Sequence, residues 1–428
     1  MILKRLAPSI AYLGTAILVL VVAVGVQQTE FRQLGFVGGV LSAWLLTILL
    51  FGVSVSNSLL FSTLFFIKPI PTAFICVLFI LLASLLLEFQ RSEMKKFHIP
   101  HPLMLLVLVA TSVYGLVRSR GNEDANLIFM ATALVPSLLL IISGNSRLNQ
   151  ADYLIWLRAV VLIGTFLAIV GVAMALLNPD ERYGSLWITA MTINGFYLLA
   201  FFFAIALGVR AGRSSQRYLW YLCALTVLLG MLYTYTRITL VAVFAGLLLL
   251  MLKIKRMRLL GMGMILLVPL IIPSSMVSRI ELGFSFDFSI YIRFLAWYYS
   301  LQQIGRHPWF GIGIDTWKYW YAGAVPLDFF YAEHSHNLPL KIWLELGVFG
   351  FVSYFYVIAA ILRRYYLNVV KQDEGNFHLA VLVGIVALLI ACLTDIFIQQ
   401  YSVSLAFWVT LALMYMLARA SKPKMEKE

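Results

Sequence analysis

Residues Arg237 to Lys253 read RITLVAVFAGLLLLMLK, fifteen uncharged and almost wholly apolar residues held between two cations. At about 1.5 Å per residue, the separation of Arg237 and Lys253 is roughly 24 Å of helix, most of a bilayer's hydrocarbon core. Such a segment predicts a transmembrane helix with a charge at each interface. Comparable apolar runs lie near 8–26, 34–53, 70–88, 101–118, 125–143, 154–177, 186–208, 217–233, 259–273, 343–362, 377–395 and 399–419. A shorter one, 57–67, ends at Lys68-Pro69. The expected fold is an all-α polytopic membrane protein of twelve to fourteen transmembrane helices. The first run follows Lys4 and Arg5 without a clear cleavage site and reads as a retained helix, not a signal peptide.

Composition agrees. Of 428 residues, 62% are hydrophobic and 12% charged, against about 25% charged in soluble chains; the mean hydropathy is +0.92. The formal charge of +13 does not point to nucleic acid, because no basic-aromatic motif accompanies it. Its cations cluster in short loops between apolar runs, as cytoplasmic loops do under the positive-inside rule. Cys76, Cys223 and Cys392 each sit inside an apolar run without metal-ligand spacing. They read as small core residues, neither zinc ligands nor disulfide partners.

The basic clusters orient the chain. Arg210, Arg213 and Arg217 form one, Lys253, Lys255, Arg256 and Arg258 a second, and Arg363, Arg364 and Lys371 a third; the tail carries Lys422, Lys424 and Lys427. All can be cytoplasmic only if the stretch from about Pro273 to Trp343 faces the other side. Three regions follow: an N-terminal helix bundle over 1–273, a large periplasmic loop over 274–342, and C-terminal helices with a short cytoplasmic tail over 343–428. Arg237 then lies at the outer face, in the polar junction Tyr233-Thr234-Tyr235-Thr236-Arg237.

The outer loop holds Arg293, in Ser289-Ile290-Tyr291-Ile292-Arg293, and His336, in Glu333-His334-Ser335-His336-Asn337. Two arginines and a histidine suit the handling of a lipid-linked sugar pyrophosphate. Guanidinium grips phosphate oxygens in bidentate fashion and stays charged. Fixed cations stabilise the charge that grows on a leaving pyrophosphate, and imidazole can take a proton from an acceptor hydroxyl. The plainer readings are real. An arginine at a helix end is most often an interfacial anchor, as Arg32 and Arg182 read. His307 reads as structural, and Gly311-Ile312-Gly313 as turn residues more than as a phosphate cradle. His98 and His101 read as solvated surface. His334 and His336 offer a metal only Glu333 nearby, and no metal is expected. Walker, Gly-x-Ser-x-Gly and His-Glu-x-x-His motifs do not occur in the sequence.

His336-Asn337, nine residues, then Gly347-Val348-Phe349-Gly350 resembles the His-Asn-x9-Gly-x-x-Gly pattern of the O-antigen ligase and polymerase superfamily. Arg293 with Trp297, followed by His307-Pro308-Trp309-Phe310-Gly311-Ile312-Gly313, is similar to a second segment of that superfamily. Thr236-Arg237 is similar to its Ser/Thr-Arg junction. The resemblance covers roughly 230–365. It implies a metal-independent glycosyltransferase without cofactor, multi-pass in a bacterial inner membrane, its site facing the periplasm. The donor would be a glycan on undecaprenyl pyrophosphate, and the acceptor lipid A-core. By the same resemblance His336 is the base and Arg237 and Arg293 hold the donor pyrophosphate. Asn337, His334, Arg306 and Tyr235 are expected to bind substrate beside them. Ligases carry an Arg-x3-Leu element, but Val241 stands at that offset from Arg237. Polymerase therefore stays an alternative to ligase, with a protein oligosaccharyltransferase behind both. Arg182, Arg279, Arg306, Lys318 and Lys341 are the other outer-face cations available to an anionic acceptor. A transporter of lipid-linked glycan is the rival from another class. It would place several ionisable residues deep in the spans, whereas Arg158 and Asp395 lie toward span ends.

Overall fold

The computed structural model describes residues 98–119, 123–145, 150–177, 189–271, 288–325 and 332–421, with Gly184, Val277 and Glu281. The expected spans at 8–26, 34–53 and 70–88, the run at 57–67, Cys76, Arg32, Arg182, Arg279, Pro273 and the tail lysines lie outside these residues. Within them every regular element is helical: α1 (Pro102–Arg118), α2 (Glu123–Phe129), α3 (Val135–Asn145), α4 (Gln150–Leu177), α5 (Ala190–Arg210), α6 (Ser214–Tyr233), α7 (Arg237–Lys253), α8 (Lys255–Ile271), α9 (Phe288–Arg306), α10 (Trp317–Ala324), α11 (Leu338–Asn368), α12 (Phe377–Ala391) and α13 (Tyr401–Ala420). Among the described residues, five segments are long and apolar enough to cross a membrane: Asp124–Asn145, Asp152–Leu177, Ala190–Arg210, Leu338–Gln372 and Ser402–Ala420. Over their described residues, the ten apolar runs expected between residue 101 and residue 419 each fall mainly on a helix.

Helix α5 is the centre of the bundle. Every residue from Ile193 to Gly208 is buried, and α4, α6, α7, α12 and α13 pack around it. A helix apolar on all sides has no solvent face to offer and is stable only when enclosed. Its glycines admit neighbours at close range. A Cβ at Gly195 would lie 2.9 Å from the side chains of Phe397 and Val403. A five-residue π-turn, Met130–Leu134, separates α2 from α3 just before Pro136. Proline has no N–H to return to the preceding turn, and a wider turn absorbs the lost bond.

Two departures from the apolar runs shape the outer end. The run 343–362 begins its helix earlier, at Leu338, because Asn337 caps it and a proline sits in the first turn. The run 377–395 leaves the helix after Ala391; residues 392–400 form turns and a short 3-10 segment, Phe397–Gln399. Both changes bring polar groups to one place. The segment between α8 and α11 is a small helical layer with its own core. Ala296 and Ile304 of α9, Trp317 and Tyr321 of α10, Ala332 and Leu344 pack together, and Trp317 stacks on Tyr321 at 4.3 Å.

Candidate functional site

The three expected residues come from separate elements, two helices and the turn before α11, and meet at one end of the bundle. Arg237 opens α7. Its junction is pinned from α5, where the Asn194 amide donates to Thr234 Oγ1 at 2.8 Å and to Thr236 Oγ1 at 3.0 Å. Tyr235 lies between them, buried and in the left-handed region at φ 55°. That conformation turns the chain sharply from α6 into α7 and aims Arg237 outward. Tyr235 thus shapes the turn. Arg293 lies one turn into α9, and its Nη1 donates to Ser289 O at 3.1 Å and Ser289 Oγ at 3.2 Å. Arg237 Nη2 reaches the same Ser289 Oγ at 3.4 Å. One hydroxyl thus gathers two guanidinium groups from different helices. Like charges held this close favour an anion between them.

His336 is also left-handed, at φ 48°. Its backbone N–H donates to His334 Nδ1 at 3.2 Å, and the two rings lie 4.1 Å apart. His334 therefore holds the turn that presents His336. Asn337 anchors the same turn. Its side chain accepts from Leu340 N at 2.9 Å and donates to Leu393 O at 2.8 Å, while Leu338 N bonds Cys392 O at 2.9 Å. These bonds staple the loop before α11 to the loop after α12, and so bring Asp395 to His336. The distance from His336 Nδ1 to Asp395 Oδ1 is 4.0 Å, with Asp395 buried.

Burial, and then the field of Arg293, lower the pKa of His336 to about 4. His334 is pushed well below the usual imidazole value by burial, then by His336, Lys341 and Arg293. Both rings are neutral at pH 7, and Arg293 is close enough to His336 to act on it. Donor atoms of His334, His336 and Asp395 lie within 4.8 Å of one another, enough for a three-ligand metal site. His334 Nδ1 is already engaged by a backbone N–H, however, and the guanidinium that disfavours a proton on His336 equally disfavours a cation there.

Behind this cluster the glycine motifs build the frame. Ile312 N donates to Leu344 O at 2.9 Å, Gly313 N to Glu345 O at 3.2 Å, and Val348 N to Pro308 O at 2.8 Å. The Ile312 and Gly313 amides are thus spent on α11, and Gly311 N donates to His307 O at 3.2 Å, so the three cradle no phosphate. Gly347, at φ 70°, kinks α11 where the backbone of Trp309 and Phe310 lies against it; a Cβ there would collide with the Trp309 carbonyl. Glu345, fully buried, accepts from Lys341 Nζ at 2.6 Å and from Asp315 N at 3.1 Å. Lys318 bridges Asp315 at 2.7 Å and Asp124 at 2.9 Å. Lys318 and Lys341 are therefore already paired.

Arg306 is not brought to the cluster. It is exposed at the far end of α9, about 20 Å along the helix from Arg293. Asp395 and Ser289 are what the sequence reading missed. Asp395 sits within what reads as one apolar run, and its partner is 59 positions away; nothing local marks it. Ser289 stands one helical turn before Arg293, a spacing that could have suggested the contact.

Residues 222–355 match the family model described as O-Antigen ligase. No curated protein matches the chain. The matched segment holds Arg237, Ser289, Arg293, His334, His336 and the paired glycine motifs. Asp395 lies beyond it and is joined to it only by the fold. With its two arginines and its His-Asn turn inside that segment, the chain is similar to the O-antigen ligase and polymerase superfamily over residues 222–355.

Proposed function

We propose that the protein is an O-antigen ligase-type glycosyltransferase that moves a glycan from undecaprenyl pyrophosphate to lipid A-core at the periplasmic face of the inner membrane. The observation that carries this reading is the convergence of Arg237 and Arg293 on Ser289 Oγ with His336 in the field of Arg293. The arginine pair grips the donor pyrophosphate. An acceptor hydroxyl oxygen attacks the anomeric carbon, the bond from that carbon to the pyrophosphate oxygen breaks, and the electron pair leaves on the pyrophosphate, where the two cations meet it. The hydroxyl proton passes to His336 Nε2. Asp395, reached by a small rotation of the ring, orients Nδ1–H and stabilises the imidazolium, as an aspartate does behind a general-base histidine.

The low basicity of free His336 fits this order of events. A base depressed to about 4 is weak at pH 7. When the dianionic donor binds Arg293, it offsets the charge that depresses His336, and the base strengthens only with donor in place. The arginines supply the charge stabilisation that a metal supplies elsewhere, so the reaction needs no ion.

The test uses purified full-length protein with a lipid-linked oligosaccharide and lipid A-core, scored by gel shift. Transfer to core that survives a chelator is expected. Elongation of the lipid-linked glycan with no transfer to core makes the protein a polymerase and overturns the ligase reading.

A further inference from the structure

The opposite end of the bundle holds a cavity of about 820 Å³ where the α5–α6, α7–α8 and α11–α12 connections meet. Its charged lining is Arg217, Lys253, Lys255 and Glu374, three cations against one exposed carboxylate. Helices α6 and α7 separate it from the Arg237 site by roughly 24–30 Å, and nothing in the transfer reaction uses it. None of its three cations forms an ion pair among the described residues. Arg217 Nη2 donates to Ala211 O at 3.2 Å, but its buried Nε–H has no hydrogen-bond partner. A buried guanidinium N–H left unmet is costly, and a partner that accepts from it gains that energy back. The remaining lining includes the apolar Met257 and Leu259. Beside the cavity Tyr218 and Leu222 of α6, Leu252 of α7 and Leu259 of α8 are exposed on faces suited to acyl chains.

We propose that this cavity binds a phosphate diester, and that its occupant is the headgroup of an anionic phospholipid whose chains lie along α6, α7 and α8. Three unpaired cations select the phosphate, as basic pockets at the cytoplasmic ends of membrane helices do. The apolar flank selects a lipid over a soluble anion. Glu374 at the rim disfavours a second anionic group and leaves room for one headgroup.

The experiment uses the full chain in phosphatidylcholine nanodiscs and reads the melting midpoint as phosphatidylglycerol is titrated into the disc or inorganic phosphate is added outside it. A rise with phosphatidylglycerol and none with inorganic phosphate is expected. In the triple variant Arg217→Gln, Lys253→Gln, Lys255→Gln, the phosphatidylglycerol needed for the same rise should increase at least about tenfold. Arg213→Gln, Arg258→Gln, Arg363→Gln removes the same charge outside the lining and should respond like the parent. If the triple variant does not fold, Lys253→Gln alone, at an exposed helix end, should still need about threefold more lipid. An equal response from the triple variant, or an equal loss in the control, overturns the site. An equal rise with inorganic phosphate overturns the lipid as its occupant.

Discussion

His336 and Arg293 are coupled through space, and their coupling predicts how activity responds to pH. Burial first and Arg293 second lower the His336 pKa. The base works neutral, so activity is lost as pH falls through that value. In the free enzyme the acid limb of kcat/KM should lie near pH 4. Bound donor offsets Arg293, so the limb of kcat should lie higher. Arg293→Gln removes one depressing cause and should move the kcat/KM limb upward in whatever activity remains. Coincident limbs in the parent, or an unmoved limb in the variant, would count against His336 as the base. His336→Ala should abolish transfer while the protein still inserts. His334→Ala should cost less, because it removes the acceptor for the His336 backbone N–H and leaves the base itself. Asp395→Asn keeps the shape but loses the charge behind the imidazolium, and should lower kcat by about 10²-fold or more with KM for donor little changed. Parent-like kcat in that variant would remove Asp395 from the mechanism. Arg237→Lys and Arg293→Lys keep a charge but lose the fork that spans two phosphate oxygens, and should each lose most transfer.

Helix α11 owes its usefulness to a break. Its first turns pack Leu338, Ile342 and Leu346 on the bundle core and Leu344 on the outer helical layer, and the Gly347 kink lets the loop from His307 to Gly313 dock on the carbonyls the bend exposes. Gly347→Ala must adopt φ 70° with a Cβ against the Trp309 carbonyl. It should destabilise the protein by more than about 2 kcal/mol, read as a lower melting midpoint and loss of folded protein. The buried Lys341–Glu345 pair sets the height of the Asp315 loop on this helix. Lys341→Met leaves the Glu345 carboxylate buried with Asp315 N alone, and should cost about 3–5 kcal/mol. Replacing both partners by apolar residues should recover part of that loss. A double variant no more stable than Lys341→Met would show that the pair is needed for more than charge balance.

The bundle has two chemically distinct ends, and its helices count them out. Helix α7 runs from Arg237 at the candidate site to Lys253 at the basic cavity. Helix α11 runs from Leu338 beside His336 to Arg363 and Arg364, and α12 returns from Asn376 to the Asp395 loop. Basic clusters at one end and the aromatic layer at the other match the charge asymmetry that orients membrane proteins. Cysteine labelling with a membrane-impermeant reagent should reach a cysteine placed at exposed Arg306 from the periplasm, and one placed at exposed Arg213 only after the membrane is opened. The reverse pattern would put the arginine pair on the cytoplasmic side and end the proposed reaction.

Spacing and charge were enough to give the apolar helices from 101 onward, and local motifs carried the family resemblance, but α9 and α10 lie in what read as one long loop. The apolar helices and the resemblance depend on helix rise, desolvation of apolar residues and local motifs, all carried by neighbours in the chain. Contacts between distant segments were not legible in this way. Ser289 bridging the two arginines, the His334 ring holding the His336 turn, and Asp395 delivered through the Asn337–Leu393 staple all depend on where helices cross. Asp395 shows the reason most plainly. In the sequence it is one acid near the end of an apolar run. It gains a role only because α12 stops at Ala391 and the following loop folds under the start of α11, a packing event that no local pattern encodes.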